Sequence, residues 1–242
     1  MKITILSIFP EMFAGFLDTS IIKKARLKGL VEYELVDIRS FSKDKHNRVD
    51  DYSFGGGAGM VFLYQPVVDA LAFVKTPKSH VIMMAPAGYL FKQKRARELK
   101  EYEHLILICG HYEGFDERIL QHVDEVLCIG DYVLTGGELA AMVVADAVTR
   151  LVDGVIAEDS PQEESFENGL LEYPQYTRPD TIDGFTVPEV LLSGHHEKIA
   201  QWRRKESLRK TWKYRPELLE KIDLDKKDRQ YLEEIVLEED KV

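Results

Sequence analysis

The stretch VDEVLCIGDYVLTGGELAAMVVADAVTRLV, Val123–Val152, holds both kinds of element on which the fold turns. DEVLCIG has the length and the Val, Ile and Leu content of a buried strand. ELAAMVVADAVTRLV is long enough for a helix and apolar on most of its faces, as a buried helix is. Between them, DYVLTGGE places a Gly pair and bare carboxylates where two buried elements meet. Glycine admits close approach by another backbone or by a ligand. This turn is read as part of a site that holds a nucleotide-like cofactor through main-chain groups.

The same alternation runs upstream. KITILSIF, VEYELVDI, HVIMMAP and HLILICG are strand-like; EMFAGFLDTSIIKKARLKG, QPVVDALAFVK, FKQKRARELKEY and FDERILQHV are helix-like. Continuous apolar strands separated by helices predict an α/β domain, over 1–157, with a mostly parallel sheet covered on both faces. Downstream, the polar and acidic DGVIAEDSPQEESFENG is broken by Pro and Gly. It predicts a linker, placed at 158–169, that is mobile until ligand binds. Beyond it the strand signals fade, and 170–242 is expected to form a small all-α domain.

With 45% hydrophobic and 31% charged residues among 242, the composition allows a sizeable core and argues against disorder. No apolar run approaches the roughly 18 residues of a membrane span, and MKITILSIFP reads as a first strand instead of a signal peptide. Cys109 and Cys128 lie in apolar runs, as buried thiols do in a reducing cytoplasm. No metal site is expected: His195 and His196 are adjacent, and neighbours on a helix point about 100° apart. The net charge of −10 argues against nucleic acid until its distribution is considered. Lys198, Arg203, Arg204, Lys205, Arg209, Lys210, Lys213 and Arg215 cluster, opposed locally by Glu197 and Glu206. Trp202, Trp212 and Tyr214 are interleaved with them. This pattern is either a solvated amphipathic helix or a surface that tracks phosphates and stacks bases.

FGGGAGM, Phe54–Met60, is not a dinucleotide fingerprint, because Met60 stands where the last Gly would be. No Gly-Lys-Ser/Thr occurs, so the P-loop is absent too. Three strand-end segments remain: APAG (Ala85–Gly88), CGHYEG (Cys109–Gly114) and IGDYVLTGGE (Ile129–Glu138). In open parallel sheets ligands sit outside the carboxyl ends of the strands. Three such segments suggest one shared pocket, with Glu113 a candidate functional carboxylate and Asp116 a candidate cap. HNRVDDYSF and YTRPD gather further polar side chains.

Together these motifs, with SIFPEMF, DDYSFGGGAGM, GLLEYPQYTRP and VPEVLLSGHH, resemble the bacterial tRNA (guanine-N1)-methyltransferase family over essentially the whole chain. The resemblance implies a SPOUT-type fold with a C-terminal trefoil knot, a homodimer, S-adenosylmethionine as cofactor and the tRNA anticodon stem-loop as partner. It implies that Ala85, Pro86 and Gly88, Gly110, Tyr112 and Glu113, and Ile129, Gly130, Tyr132, Leu134, Gly136 and Gly137 bind the cofactor. The tRNA surface is assigned to Asp50, Gly55, Gly56, Gly57, Gly59, His195, Arg203 and Arg209, with the basic cluster gripping the anticodon-stem backbone.

Guanine N1 carries a proton at neutral pH and needs a general base before it attacks a methyl group. Negative charge then spreads to O6, where an Arg or a Mg²⁺ would stabilise it. By resemblance the O6 donor is Arg150 and the base is an Asp in a DSF segment. This chain reads QEESFENG there, so the base falls to Glu164, with Asp159 the alternative, and the segment after Arg150 is one residue shorter. Two other activities stay open: an RNA-binding protein of this fold without catalysis, and a methyltransferase acting on ribose 2′-OH or ribosomal RNA.

Overall fold

The computed structural model describes residues 1–157 and 164–239. Its contacts divide the chain into two compact units, Met1–Glu158 and Asp159–Val242.

The first unit is built on five parallel strands: β1 (Lys2–Ser7), β2 (Glu32–Asp37), β5 (Ser79–Leu90), β6 (His104–Cys109) and β7 (Glu125–Cys128). Their order is β2-β1-β6-β5-β7. Successive side chains on a strand point to opposite faces, and the burial follows this period of two. Ile82, Met84, Leu105, Leu107 and Cys109 enter one core, together with Val144 and Val148. Val81, Met83, Ile106 and Ile108 enter the other, with Val67 and Leu71. Both faces are covered, which is why these strands read as unbroken apolar runs. The helices are α1 (Ala14–Leu17), α2 (Ser20–Leu27), α3 (Tyr64–Val74), α4 (Gln93–Leu99) and α5 (Glu138–Thr149). Two short strands, β3 (Asp50–Asp51) and β4 (Val61–Phe62), pair antiparallel around the Gly-rich loop.

Two helix expectations need correction. EMFAGFLDTSIIKKARLKG is not one helix: a 3-10 turn (Pro10–Phe13) and α1 end at Asp18, and α2 starts afresh. Arg26 ties the break by donating to Leu17 O at 2.7 Å and to Asp18 Oδ1 at 3.0 Å. FDERILQHV forms a 3-10 segment, Glu117–His122, with Asp116 Oδ1 accepting from Arg118 N at 3.0 Å. It buries Ile119 and must then turn at once into β7, leaving no room for a longer α-helical run.

The start of the sheet carries a buried polar chain. Ser79 Oγ lies 2.7 Å from His104 Nδ1, His104 Nε2 lies 2.8 Å from Thr4 Oγ1, and Thr4 donates to Glu34 at 3.0 Å. Thr4 has one proton and gives it to Glu34, so His104 donates from Nε2 and accepts at Nδ1 as a neutral ring. Burial, then the nearby Lys2 charge, hold the His104 pKa below its ordinary value. An unfolded chain therefore binds this proton more readily than the folded one. Stability from this site is full above the ordinary His value, roughly 6.5, and is lost as pH falls from there through the lowered folded pKa. Thermal midpoints measured from pH 7 to pH 5 should fall more steeply for the wild type than for His104→Gln.

The second unit holds α6 (Glu189–Leu192), α7 (His196–Tyr214) and α8 (Lys226–Glu239), with a 3-10 segment at Pro216–Lys221. It is not purely helical, since β8 (Thr181–Ile182) and β9 (Phe185–Thr186) pair as a small hairpin. Its core centres on Leu170, Leu208 and Ile235. Residues 158–163 of the expected linker lie outside the described residues. Its remainder is a turn on the second unit: Phe166 N donates to Leu170 O at 2.7 Å, Glu172 N to Ser165 Oγ at 2.9 Å and Leu171 N to Thr211 Oγ1 at 2.9 Å. Burial of Leu170 holds that turn in place.

Candidate active site

The first unit contains a cleft at the carboxyl ends of β6 and β7, beside the Met84–Pro86 part of β5. Ala85 and Pro86 line it, with Gly110, Tyr112 and Glu113, and with Ile129, Leu134, Gly136 and Gly137. His111, Phe115 and Thr135 line it too and were not singled out from sequence. Gly88, Gly130 and Tyr132 do not line it.

Ala85–Gly88 is not a strand end. Leu127 pairs with both Met84 and Tyr89, so four residues leave the β5 ladder as a loop and the strand then resumes. Such an excursion pushes backbone groups out of the ladder toward the cleft. Gly88 is needed to close it, because a Cβ there would stand 2.6 Å from the main chain of Leu127 and Val126. Gly130 leaves space for the Tyr132 ring in the same way.

The Gly pair has internal partners. A Cβ on Gly137 would stand 2.8 Å from Gly110 N and 2.9 Å from Cys109 Cα. Gly137 N donates to Gly110 O at 2.8 Å, which locks the turn before α5 onto the end of β6. A Cβ on Gly136 would stand 2.2 Å from His111 Nε2. These glycines allow the turn to seat on β6, and the cleft wall is the result.

The Gly-rich loop belongs to the same site. Gly55, Gly56, Gly57 and Gly59 all have positive φ, which side chains resist. Gly59 packs on the Glu113 side chain, and Glu113 N donates to Met60 O at 3.0 Å. Phe62 N donates to Gly114 O at 2.9 Å, and the Phe62 ring stacks on Phe115 at 5.2 Å. Asp50 sits half-buried in β3, opposite Phe62. The loop and the CGHYEG segment, some fifty positions apart, thus form one wall.

The cleft's chemistry is distinctive: among the described residues its lining includes no Lys or Arg. Nothing in that lining would neutralise a phosphate, whereas Glu113 favours a cation. This wall is apolar and main-chain-rich, and suits an uncharged nucleoside carrying a positive group.

A model of the tRNA (Guanine-1)-methyltransferase TrmD family matches residues 1–221. The chain belongs to this family. A tRNA (guanine-N(1)-)-methyltransferase from Dictyoglomus turgidum is 55% identical over 236 residues, covering 97% of this chain and 96% of that protein. Enzymes of the same name from Moorella thermoacetica and Geobacillus kaustophilus are 56% and 54% identical, again over 97% of this chain and 96% and 98% of theirs.

The two residues assigned to this methyltransferase's chemistry fall in different units. Arg150 caps the C-terminus of α5 and is half-buried. Glu164 opens the described part of the second unit, half-buried, with its carbonyl accepting from Glu167 N at 3.3 Å. Asp159 lies outside the described residues.

The basic cluster differs from its sequence reading. Arg204 makes two hydrogen bonds to buried Asp228, at 2.9 and 2.6 Å. Lys205 reaches Glu234 at 2.8 Å and Glu238 at 3.0 Å. Arg209 pairs with Glu206 at 3.2 Å and Glu238 at 2.6 Å. Much of the cluster therefore joins α7 to α8. The acidic partners on α8 come some twenty-four to thirty-three positions later, so local charge counting misses them. Arg203 lies over the Tyr173 ring at 4.6 Å and lines a polar recess with His196 and Asn168. His195 caps α7, its Nδ1 accepting from Lys198 N at 3.5 Å.

Proposed function

We propose that the protein transfers a methyl group from S-adenosylmethionine to N1 of the guanosine at position 37 of tRNA. The observation that carries the donor assignment is the cleft lined by Ala85, Pro86, Gly110–Glu113, Ile129 and Val133–Gly137, rich in backbone and, among the described residues, without basic side chains. Bound there, S-adenosylmethionine supplies an electrophilic methyl group. The Glu164 carboxylate takes the N1 proton, and the Arg150 guanidinium stabilises the charge that develops on O6. Ala85, Pro86, Gly110 and Glu113, with Ile129 and Val133–Gly137, would hold that donor, which would give up its methyl group and leave as a neutral thioether. A Mg²⁺ bound at O6 would supply the same stabilisation as Arg150.

The anticodon stem-loop is the proposed RNA partner, and Asp50 with the Gly55–Gly59 loop is assigned to the target base because it adjoins the cleft through Glu113. Arg203, Arg209 and His195 are assigned to the RNA backbone. The active form is proposed to be a homodimer. Leu139 and Val143, one turn apart on α5, are half exposed on its outer face beside exposed Val133, an apolar surface that a second copy would cover. The proposed place of work is the cytoplasm, where tRNA is processed; among the described residues no helix is long and apolar enough to cross a membrane.

The test uses purified protein, methyl-labelled S-adenosylmethionine and two tRNA transcripts that differ only in G or A at position 37. Label should enter the G37 transcript alone and digest to 1-methylguanosine. Label on a ribose 2′-oxygen, or none at all, would refute the assignment.

A further inference from the structure

Glu138 is the first residue of α5, and its carboxylate is buried directly behind the Gly136–Gly137 wall of the cleft. Oε1 accepts from Ser7 Oγ at 2.6 Å, and Oε2 accepts from His111 Nε2 at 2.7 Å. A Cβ on Gly136 would stand 2.5 Å from Glu138 Oε2, so the carboxylate lies against that wall beside the His111 ring. Ser7 is itself held, with Phe9 N donating to its Oγ at 2.9 Å. No Lys or Arg among the described residues pairs with Glu138; His111 is its one charged-group partner.

A buried carboxylate normally has a permanent cation beside it. Here its partners are two donors, Ser7 and His111, and the N-terminus of a helix of twelve residues. Neither donor is a permanent cation. His111 itself lines the cleft, so the carboxylate and its imidazole partner stand together at that wall.

We propose that Glu138 is the charge-selecting residue of the cleft: it raises affinity for a cationic sulfonium donor relative to the neutral thioether left after transfer. The inference rests on the reading that S-adenosylmethionine occupies this cleft. It assigns a different task from that of Glu113, which is exposed and screened by salt. A sulfonium and a carboxylate separated by one wall of backbone attract through a medium of low dielectric. After transfer that attraction vanishes, which helps the product leave.

Glu138→Gln removes the charge and keeps the hydrogen bonds, because the amide oxygen can accept from His111 while the amide nitrogen donates to Ser7. Titration calorimetry of the full chain should show S-adenosylmethionine affinity falling about tenfold, with S-adenosylhomocysteine changing less than about threefold. Ser7→Ala, which keeps the charge, should leave the ratio of the two affinities within about twofold of wild type. A second measurement needs no variant: in the wild type the ratio should move less than about twofold between low salt and roughly 1 M KCl, since a buried charge is poorly screened. Equal losses for both ligands in Glu138→Gln, or a ratio that collapses with salt, would overturn the proposal and return the selection to exposed carboxylates such as Glu113. Failure of the wild type to bind either ligand would instead sink the donor assignment itself.

Discussion

Replacing Glu164 with Ala should slow methyl transfer by about 10²- to 10⁴-fold in a single turnover, the range expected when a general base is lost. S-adenosylmethionine affinity should stay within about threefold of wild type, because the donor cleft is built entirely from the first unit. Glu164→Asp is the sharper probe. It restores the residue type that the resemblance implies for the base but shortens the reach by one C–C bond. A misplacement near 1 Å can cost on the order of 10²-fold, so Glu164→Asp should fall between the wild type and Glu164→Ala. Near wild-type turnover in Glu164→Ala, with donor binding intact, would move the base elsewhere, with Asp159 next in line.

Gly137→Ala should damage the site from within. Gly137 has φ −83°, an ordinary value for alanine, so backbone strain is not at issue. The obstacle is space: the new methyl would meet Gly110 N at 2.8 Å and Cys109 Cα at 2.9 Å. Those atoms are main chain at the end of a buried strand and cannot swing aside. Overpacking of this kind costs about 1–3 kcal/mol. The Gly137–Gly110 hydrogen bond must lengthen as the turn lifts, and the cleft wall moves with it. We expect a lower unfolding midpoint and at least a tenfold loss of S-adenosylmethionine affinity. Gly15→Ala is the matched control, since nothing lies within 4 Å of its Cβ position in α1. It should leave binding unchanged and raise stability by up to about 1 kcal/mol. Equal behaviour of the two variants would show that the β6 contact does not shape the cleft.

The amino-acid sequence by itself determined the layered α/β unit, because a strand covered on both faces must be apolar throughout and the helices between such strands keep their own period. It also determined the family, since ordered motifs spaced along the whole chain leave few alternatives. The tertiary structure alone decided how those motifs act. Read locally, APAG ends a strand; pairing of Leu127 on both sides of it makes it a loop within β5. The Gly pair suggests ligand approach; the ends of β6 and the His111 ring supply the contacts that require it. Lys205 and Arg209 read as free cations until α8 folds back with Glu234 and Glu238. Glu138 gained its meaning only from Ser7, 131 positions away. Periodicity reports which side of an element is buried, a property of neighbours in the chain. What a buried group touches depends on how distant segments close on one another, and that is fixed only when the whole core packs.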